Sequence, residues 1–251
     1  MTRIAFSNLA APGWTLERTI EAVGELGYDG LELRLLEGEP IDVLELAPRT
    51  RRAVGAALAG VQLACLDTSI ELAGRFEHEL PAAIELAREW GADTVRVFGG
   101  DVADADDVAR RLEPLLAPDV VVAIETHDHF ASAVRTGELV ARVDNPSFAA
   151  IWDVHHPTRV GESPKEVVTA LGRAIRLVHV KDARRRGDDW QLAPLGEGDV
   201  PVRECLELLR SSGYEGWLTV EWERRWHPDL AEASVALPRE LAVLRGWYES
   251  P

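Results

Sequence analysis

The sequence predicts a single α/β domain that folds as a (β/α)8 barrel, or TIM barrel. Three observations predict it: the length of 251 residues suits one such barrel, short apolar segments alternate with segments of helical periodicity, and the alternation repeats eight times. No Gly-rich linker or change in composition divides the chain. We therefore expect one domain over residues 1–251 rather than an open, doubly wound sheet, which needs fewer strands.

Each predicted strand is a short run rich in apolar and β-branched residues. The eight runs are RIAFS at 3–7, GLELRL at 30–35, VQLACLD at 61–67, TVRVFG at 94–99, VVVAIETH at 120–127, AAIWDVHH at 149–156, RLVHVKD at 176–182 and WLTVEWE at 217–223. The segments between them have helical periodicity, and several end at a glycine, which readily takes the left-handed conformation after a helix. The predicted helices are 15–27, 43–60, 76–91, 104–117, 133–143, 164–174, 202–213 and 230–248.

The charge balance is strongly acidic. The chain has 27 Lys and Arg against 43 Asp and Glu, a formal net charge of -16, which repels polyphosphates and anionic membrane surfaces. We expect neither nucleic acid nor a membrane as a partner. The basic run at 184–186, predicted to form a loop, is a local exception that could attract a small anionic group.

The cysteines and the first residues indicate a cytoplasmic location. Cys65 and Cys205 stand in apolar segments without a second cysteine nearby, as buried free thiols in a reducing compartment do. The N-terminal residues do not resemble a secretory signal, and no run approaches the roughly 20 apolar residues of a membrane span. An apolar surface at Trp226, Pro228 and Trp247 could support a homo-oligomer.

Acidic and histidine side chains stand at equivalent positions near the ends of the last four predicted strands. They are Glu125, Asp153, His179 and Glu221. One carboxylate at a strand end often only caps the next helix, but a barrel directs all four positions towards its mouth, so the side chains should converge. Converging carboxylates repel each other and need a cation to offset their charge. We therefore predict that these four residues bind one divalent metal ion.

The predicted ligands, three carboxylates and one imidazole, form an oxygen-rich set. Such a set suits Mn2+, Mg2+ or Co2+, and it lacks the sulfur ligands typical of structural zinc sites. Zn2+ is also possible. Coordination positions left to a substrate would allow the metal to polarise a carbonyl beside a hydroxyl group. The site therefore indicates chemistry on a small hydroxy-carbonyl compound.

Five segments resemble one known family across essentially the whole chain. They are YDGLELR at 28–34, AIETHD at 123–128, WDVHHP at 152–157, VHVKDARR at 178–185 and LGEGDVPVRECLELLRSSGYEGWLTVEWE at 195–223. The chain resembles the sugar isomerase and epimerase superfamily of xylose isomerase-like barrels, and the last segment is the most specific match. The resemblance implies one metal held by Glu, Asp, His and Glu, which fall on the same four residues, and a small-molecule substrate of the sugar or polyol type.

The resemblance also implies roles for individual side chains. Ketose 3-epimerases of this family use their two metal-binding glutamates as acid and base, and these are Glu125 and Glu221 here. Removing a proton next to a carbonyl gives an enediolate, and returning it elsewhere gives an isomer or epimer without an organic cofactor. His156 and Arg185 fall where the family places a substrate-binding His and Arg.

Lys181 and Glu32 are further candidates for substrate binding, and Arg34 lies two residues after Glu32. Lys181 lies two residues after His179, on the same face of the strand, and could bind a substrate oxygen or pair with Glu221. Glu32 and Arg34 end the second strand and are expected to face the same cavity, unless they form only an ion pair across the barrel mouth.

One departure from the family pattern leaves the reaction open. The epimerases carry a further Glu six residues after the first metal glutamate, where this chain has Ala131. His127, on the same loop, could bind substrate or act as the acid in a dehydration. An inosose- or dehydroshikimate-type dehydratase is therefore the alternative to an isomerase or epimerase.

A binding protein and a nuclease built on the same barrel have weaker support. A non-catalytic metabolite-binding barrel would not need both Glu125 and Glu221. A DNA-repair endonuclease with three zinc ions would need extra ligands after the earlier strands, where this chain has Thr68, Ser69, Gly99 and Gly100.

Overall fold

The computed structural model describes residues 2–35, 46–102 and 104–248. Their strands are β1 (Arg3–Ser7), β2 (Gly30–Arg34), β3 (Leu63–Glu71), β4 (Thr94–Phe98), β5 (Val121–Glu125), β6 (Phe148–Asp153), β7 (Ile175–Val180), β8 (Asp182–Arg186), β9 (Asp189–Ala193) and β10 (Trp217–Val220). Eight of them close into a parallel barrel in the order β1-β10-β7-β6-β5-β4-β3-β2. The predicted (β/α)8 barrel is confirmed, and every predicted strand segment overlaps a barrel strand.

The helices of the described chain cover the outside of the barrel. They are α1 (Leu16–Leu26), α2 (Pro48–Leu58), α3 (Glu79–Trp90), α4 (Ala105–Leu112), α5 (Ala133–Val143), α6 (His155–Arg159), α7 (Pro164–Leu171), α8 (Val202–Ser211) and α9 (Ala233–Tyr248). Part of the predicted helix 43–60, residues 43–45, lies outside the described residues. The short α6 directly after β6 was not predicted, because its first two residues, His155 and His156, were included in the predicted strand 149–156.

Local signals in the sequence define several of the helix ends. The Thr15 side chain accepts a hydrogen bond from the Arg18 amide at the start of α1, and Gly27 ends that helix with φ of 86°. Ser163 and Glu166 form a reciprocal capping box at the start of α7. Such caps satisfy the backbone groups that have no partner inside a helix.

The basic run at 184–186 is not a loop, and that prediction is wrong. It belongs to β8, which pairs antiparallel with β9 and places Arg185 opposite Trp190. Gly187, with φ of 65°, lies in the turn between the two strands. The segment was misjudged because its three arginines are all exposed, so it lacks the alternation of apolar and polar residues by which a strand is identified from sequence.

The narrow end of the barrel interior explains one glycine. A Cβ atom on Gly30 would lie 2.5 Å from the Gln62 carbonyl oxygen and 2.7 Å from the Trp217 ring. Trp217 packs inside the barrel with Cys65 and other small buried side chains. Cys65 and Cys205 are both buried free thiols, as predicted.

Two surface properties bear on the predicted partners. Trp226 is 51% exposed, whereas Trp247 packs partly against the core, so the oligomer surface suggested by the sequence stays a prediction. Among the described residues, none of the helices has the length and apolar character needed to cross a membrane.

Candidate metal centre

The four predicted ligands converge at the C-terminal mouth of the barrel. Glu125 and Asp153 are the last residues of β5 and β6, His179 is the penultimate residue of β7, and Glu221 follows β10. All four are buried, and each offers one ligand atom within 4.8 Å of those of the others. The structure therefore brings together the whole set that the sequence selected.

The imidazole of His179 lies at the centre of this cluster. Its Nδ1 atom is 3.2 Å from Glu125 Oε1 and 3.6 Å from Glu221 Oε1, and its Nε2 atom is 3.1 Å from Glu32 Oε2. Burial alone would lower the pKa of His179, but the surrounding carboxylates raise that pKa well above its usual value. Without a metal, the ring is therefore held as an imidazolium between carboxylates.

Lys181 provides a second cation in the cluster. Its Nζ atom lies 2.8 Å from Asp153 Oδ2 and 2.6 Å from Glu221 Oε2, and it also contacts Glu223. Burial opposes the charged carboxylate of Glu221, but Lys181 and His179 outweigh it and lower the pKa of Glu221 to about 2. Of the two roles open to Lys181, the structure contains the ion pair with Glu221.

The Asp153 carboxylate is fixed by the backbone that follows it. Its Oδ1 atom accepts hydrogen bonds from the amides of His155 and His156, at 2.8 Å and 3.2 Å. The turn into α6 thus leaves Oδ2, the atom that contacts Lys181, facing the cluster.

Arg96 in β4 is a buried cation that the sequence interpretation missed. Its guanidinium is 3.2 Å from Glu125 Oε2 and 3.5 Å from Asp67 Oδ2, and it stacks over Phe98 with its Cζ atom 3.9 Å from the ring centroid. Burial opposes the charged form of Glu125, but Arg96 and His179 lower the pKa of Glu125 well below its usual value. An arginine in the middle of the apolar run TVRVF was the available signal, because charged side chains are rarely buried without a partner.

The histidines after β5 and β6 form an aromatic wall beside the cluster. The rings of His127 and His156 lie edge to face with centroids 4.5 Å apart, and His127 Nδ1 is 2.8 Å from Asp128 Oδ2. His155 packs between His156 and Trp190, with centroid distances of 5.6 Å and 5.2 Å. Burial lowers the pKa of His155 to about 3, so this ring is neutral.

A cavity of about 220 Å3 opens next to this wall, with Ala131, His156, Arg159 and Trp190 among its lining residues. Arg185 lies on the exposed part of the neighbouring hairpin, where its Nε atom donates to the Gly187 carbonyl oxygen. His156 therefore lines the cavity beside the cluster, whereas the guanidinium of Arg185 is directed to its own turn.

The LGEGDV segment encloses the side chain of Asp182, directly after Lys181. The Asp182 carboxylate accepts backbone hydrogen bonds from Ala183, Gly196, Gly198 and Val200. A Cβ atom on Gly198 would lie 2.0 Å from Asp182 Oδ1, so glycine is required there. The motif thus anchors the loop before α8 to the start of β8, two residues after β7 ends.

Comparison with known proteins agrees with this fold. The model of the xylose isomerase-like TIM barrel family matches residues 20–245, and the chain belongs to that family. An inosose dehydratase of Clostridium botulinum (strain Eklund 17B / Type B) is 27% identical over 147 residues, which cover 51% of this chain and 47% of that protein. The chain thus spans about half the length of the curated inosose dehydratases that it matches.

Solved structures with the same fold cover nearly the whole chain. The IOLI protein with a bound zinc atom has a TM-score of 0.80 and 16% identity, over 99% of this chain and 98% of that one. A D-psicose 3-epimerase, studied in the presence of D-fructose, has a TM-score of 0.80 and 14% identity, over 99% and 100%. Relatives with this fold thus include enzymes of the dehydratase and epimerase types.

Proposed function

We propose that this protein is a divalent-metal-dependent isomerase or epimerase acting on a ketose or a related hydroxy-carbonyl compound. The observation that carries the proposal is the convergence of four buried potential ligands at the barrel mouth. They are Glu125, Asp153, His179 and Glu221. Family relatives that act on sugars, and one that contains zinc, support this assignment.

The side chains present fit a divalent cation. Three carboxylates and one imidazole are hard or borderline ligands, suited to Mn2+, Mg2+, Co2+ or Zn2+. Asp153 Oδ2 and Glu125 Oε2 are buried and have no hydrogen-bond partner among the described residues, although Lys181 lies 2.8 Å from the first and Arg96 3.2 Å from the second. When bound, a divalent cation would act as a Lewis acid on the substrate carbonyl.

Glu125 and Glu221 are placed to transfer protons from different sides of a substrate. They stand on strands that are separated around the barrel by β6 and β7. One glutamate takes the proton from the carbon next to the carbonyl, and the electron pair of that C–H bond forms the enediolate. The other glutamate is protonated at that stage and donates its proton to the opposite face of the enediolate, or to the neighbouring carbon. The charged neighbours that lower the pKa of each glutamate keep ionised the one that acts as the base.

The remaining polar side chains would bind and orient the substrate. Lys181 can donate a hydrogen bond to a substrate oxygen when it is released from Glu221, and His156 lines the adjoining cavity. We assign Arg185 to the same group as a residue of the hairpin beside that cavity, and His127 as a donor on the strand-five loop.

A dehydratase is the second candidate, and the position of His127 favours it. The His127 ring packs against His156, and His156 lines the cavity together with Ala131, the residue that replaces the glutamate of the epimerases. In this reaction a glutamate removes the proton next to the carbonyl, the C–O bond at the next carbon breaks, and His127 protonates the departing hydroxide as water. The inosose dehydratases among the relatives support this second candidate.

Metal-supplemented substrate screening in deuterated water tests both candidates. The panel should contain ketoses, hydroxypyruvate, inososes and dehydroshikimate. Isomerisation or epimerisation incorporates solvent deuterium without loss of oxygen, whereas dehydration releases water. E125Q and E221Q should each lower turnover by at least about 100-fold, while E240Q, a buried carboxylate outside the cluster, should retain it.

Two outcomes separate the possibilities. If E125Q and E221Q both bind metal and retain full turnover, the acid and base assignment is wrong. H127A should abolish a dehydration but leave deuterium exchange in an epimerisation largely intact.

A further inference from the structure

Glu32 lies behind His179, on the side of the imidazole ring away from the other potential ligands. Its Oε2 atom is 3.1 Å from His179 Nε2, while Nδ1 of the same ring faces Glu125 and Glu221. Glu32 and His179 are both completely buried. The Nδ1 atom of His179 therefore faces the other potential ligands, and its Nε2 atom contacts Glu32.

We propose that Glu32 is a positioning residue that accepts a hydrogen bond from Nε2–H of His179 and thereby leaves Nδ1 free to bind the metal. An imidazole ligand is neutral and carries its proton on the nitrogen that does not bind the metal. A carboxylate at that nitrogen selects the tautomer, fixes the plane of the ring and makes the ligand more basic. The inference rests on the metal site of the proposed function and adds a residue from the opposite half of the barrel.

The surroundings of Glu32 favour this role over a second cation site. Oxygen and nitrogen atoms of Glu32, Asp67 and His179 also lie within 4.8 Å of one another. However, a cation already occupies this region, because the Arg96 guanidinium lies 3.5 Å from Asp67 Oδ2. A second metal ion would meet that positive charge and would have to break the contact between Glu32 and His179.

The same surroundings favour positioning over direct contact with a substrate. The Glu32 side chain has no exposed surface, and the imidazole of His179 stands between it and the other three ligands. Its Oε1 atom has no hydrogen-bond partner among the described residues, so the bond to His179 is the contact that fixes the carboxylate. The sequence predicted Glu32 as a substrate-binding residue, whereas its complete burial against His179 favours contact with the imidazole.

Metal titration of the full chain tests the proposal without using activity. Co2+ and Zn2+ affinities are measured by competition with a chromophoric chelator for the wild type, E32A, E32Q and the control E240Q, whose carboxylate is equally buried. E32A should bind either metal about 10- to 100-fold more weakly. E32Q keeps an acceptor oxygen at the same place and should lie between E32A and the wild type, and E240Q should match the wild type.

Nitrogen-15 NMR of the Zn2+-loaded proteins gives a second readout that a general loss of packing would not reproduce. The wild type and E32Q should show one imidazole Nε2–H proton protected from solvent exchange, and E32A should lack it while retaining the amide spectrum of the fold. If E32A does not fold, E32Q decides: wild-type affinity together with loss of the protected proton contradicts the proposal.

Three results would overturn the inference. One is wild-type metal affinity and an unchanged Nε2–H signal in E32A. Another is binding of two Co2+ ions by the wild type and one by E32A, which would make Glu32 a ligand of its own cation. Absence of metal binding by the wild type would refute both this inference and the proposed function, whereas the first result leaves the proposed function standing.

Discussion

Replacing Gly198 with alanine should detach the loop before α8 from the barrel. The added Cβ atom would lie 2.0 Å from Asp182 Oδ1, 2.5 Å from its Cγ atom and 2.6 Å from the Ala183 carbonyl oxygen. Neither a carboxylate held by several amides nor a backbone carbonyl can move away cheaply. The Asp182 side chain or the loop must therefore shift, and the amides of Gly196, Gly198 and Val200 lose an acceptor at 2.9 to 3.2 Å.

The magnitude follows from these hydrogen bonds. A hydrogen bond to a charged group contributes about 1.5–3 kcal/mol, and water replaces part of what the exposed side of the loop loses. We expect G198A to lower the free energy of unfolding by about 3 kcal/mol, which for a chain of this length lowers Tm by about 6–12 °C. Urea unfolding and calorimetry measure both quantities, and amide exchange at Gly196 and Val200 should accelerate.

Gly24 provides the matched control, because it lies on the exposed face of α1 and a Cβ atom there would meet nothing within 4 Å. G24A should therefore stabilise the protein by about 0.5–1 kcal/mol through helix propensity. If the free energy of unfolding of G198A lies within about 0.5 kcal/mol of that of the wild type, the anchoring role assigned to Asp182 is incorrect.

Two further predictions concern buried charges. K181M removes the ammonium between Asp153 and Glu221, so the free energy of unfolding of the metal-free variant should fall by about 3–5 kcal/mol. Added Mn2+ should raise the Tm of K181M more than that of the wild type in a thermal-shift assay, and equal shifts would contradict this. Burial raises the pKa of Glu240 although its carboxylate accepts from the Leu195 amide. Its stabilising contribution is therefore complete below the usual pKa of a glutamic acid and is lost as pH rises through the raised value. E240Q should gain stability over the wild type at about pH 8 and little at about pH 4 in urea unfolding, and a gain independent of pH would count against this explanation.

The strand-end chemistry was predictable because it is encoded locally. Parallel strands of a barrel all deliver their C-terminal residues to one mouth, so the residue types at Glu125, Asp153 and Glu221 suffice to predict convergence. The same reasoning left Lys181 with two possible partners, a substrate oxygen and Glu221, and the structure contains the ion pair with Glu221. Distances between these groups needed the structure, because side chains on different strands meet at angles that no spacing in the sequence defines.

The contacts made by the earlier strands could not be predicted in the same way. Asp67 pairs in register with Arg34 on one side and with Arg96 on the other, and β2 shifts its register against β3 just before Glu32. A shift of one residue sends a side chain to the opposite face of a sheet. An isolated charged residue in an apolar strand therefore indicates that its side chain is buried with a partner. It does not indicate which carboxylate each cation contacts.

The buried charged side chains at the barrel mouth come from both halves of the chain. Buried around His179 are five carboxylates: Glu32, Asp67, Glu125, Asp153 and Glu221. Arg34, Arg96 and Lys181 are buried permanent cations near these carboxylates. The imidazolium of His179 is a fourth positive group, and burial raises the pKa of Asp153 to about 7 and that of Glu32 to about 8. The metal-free cluster thus approaches neutrality through protons held on its own side chains, since buried unpaired charge is costly. Carboxylates and imidazole bind a metal in their deprotonated forms, so a divalent cation that displaces these protons can take over their role in balancing the charge.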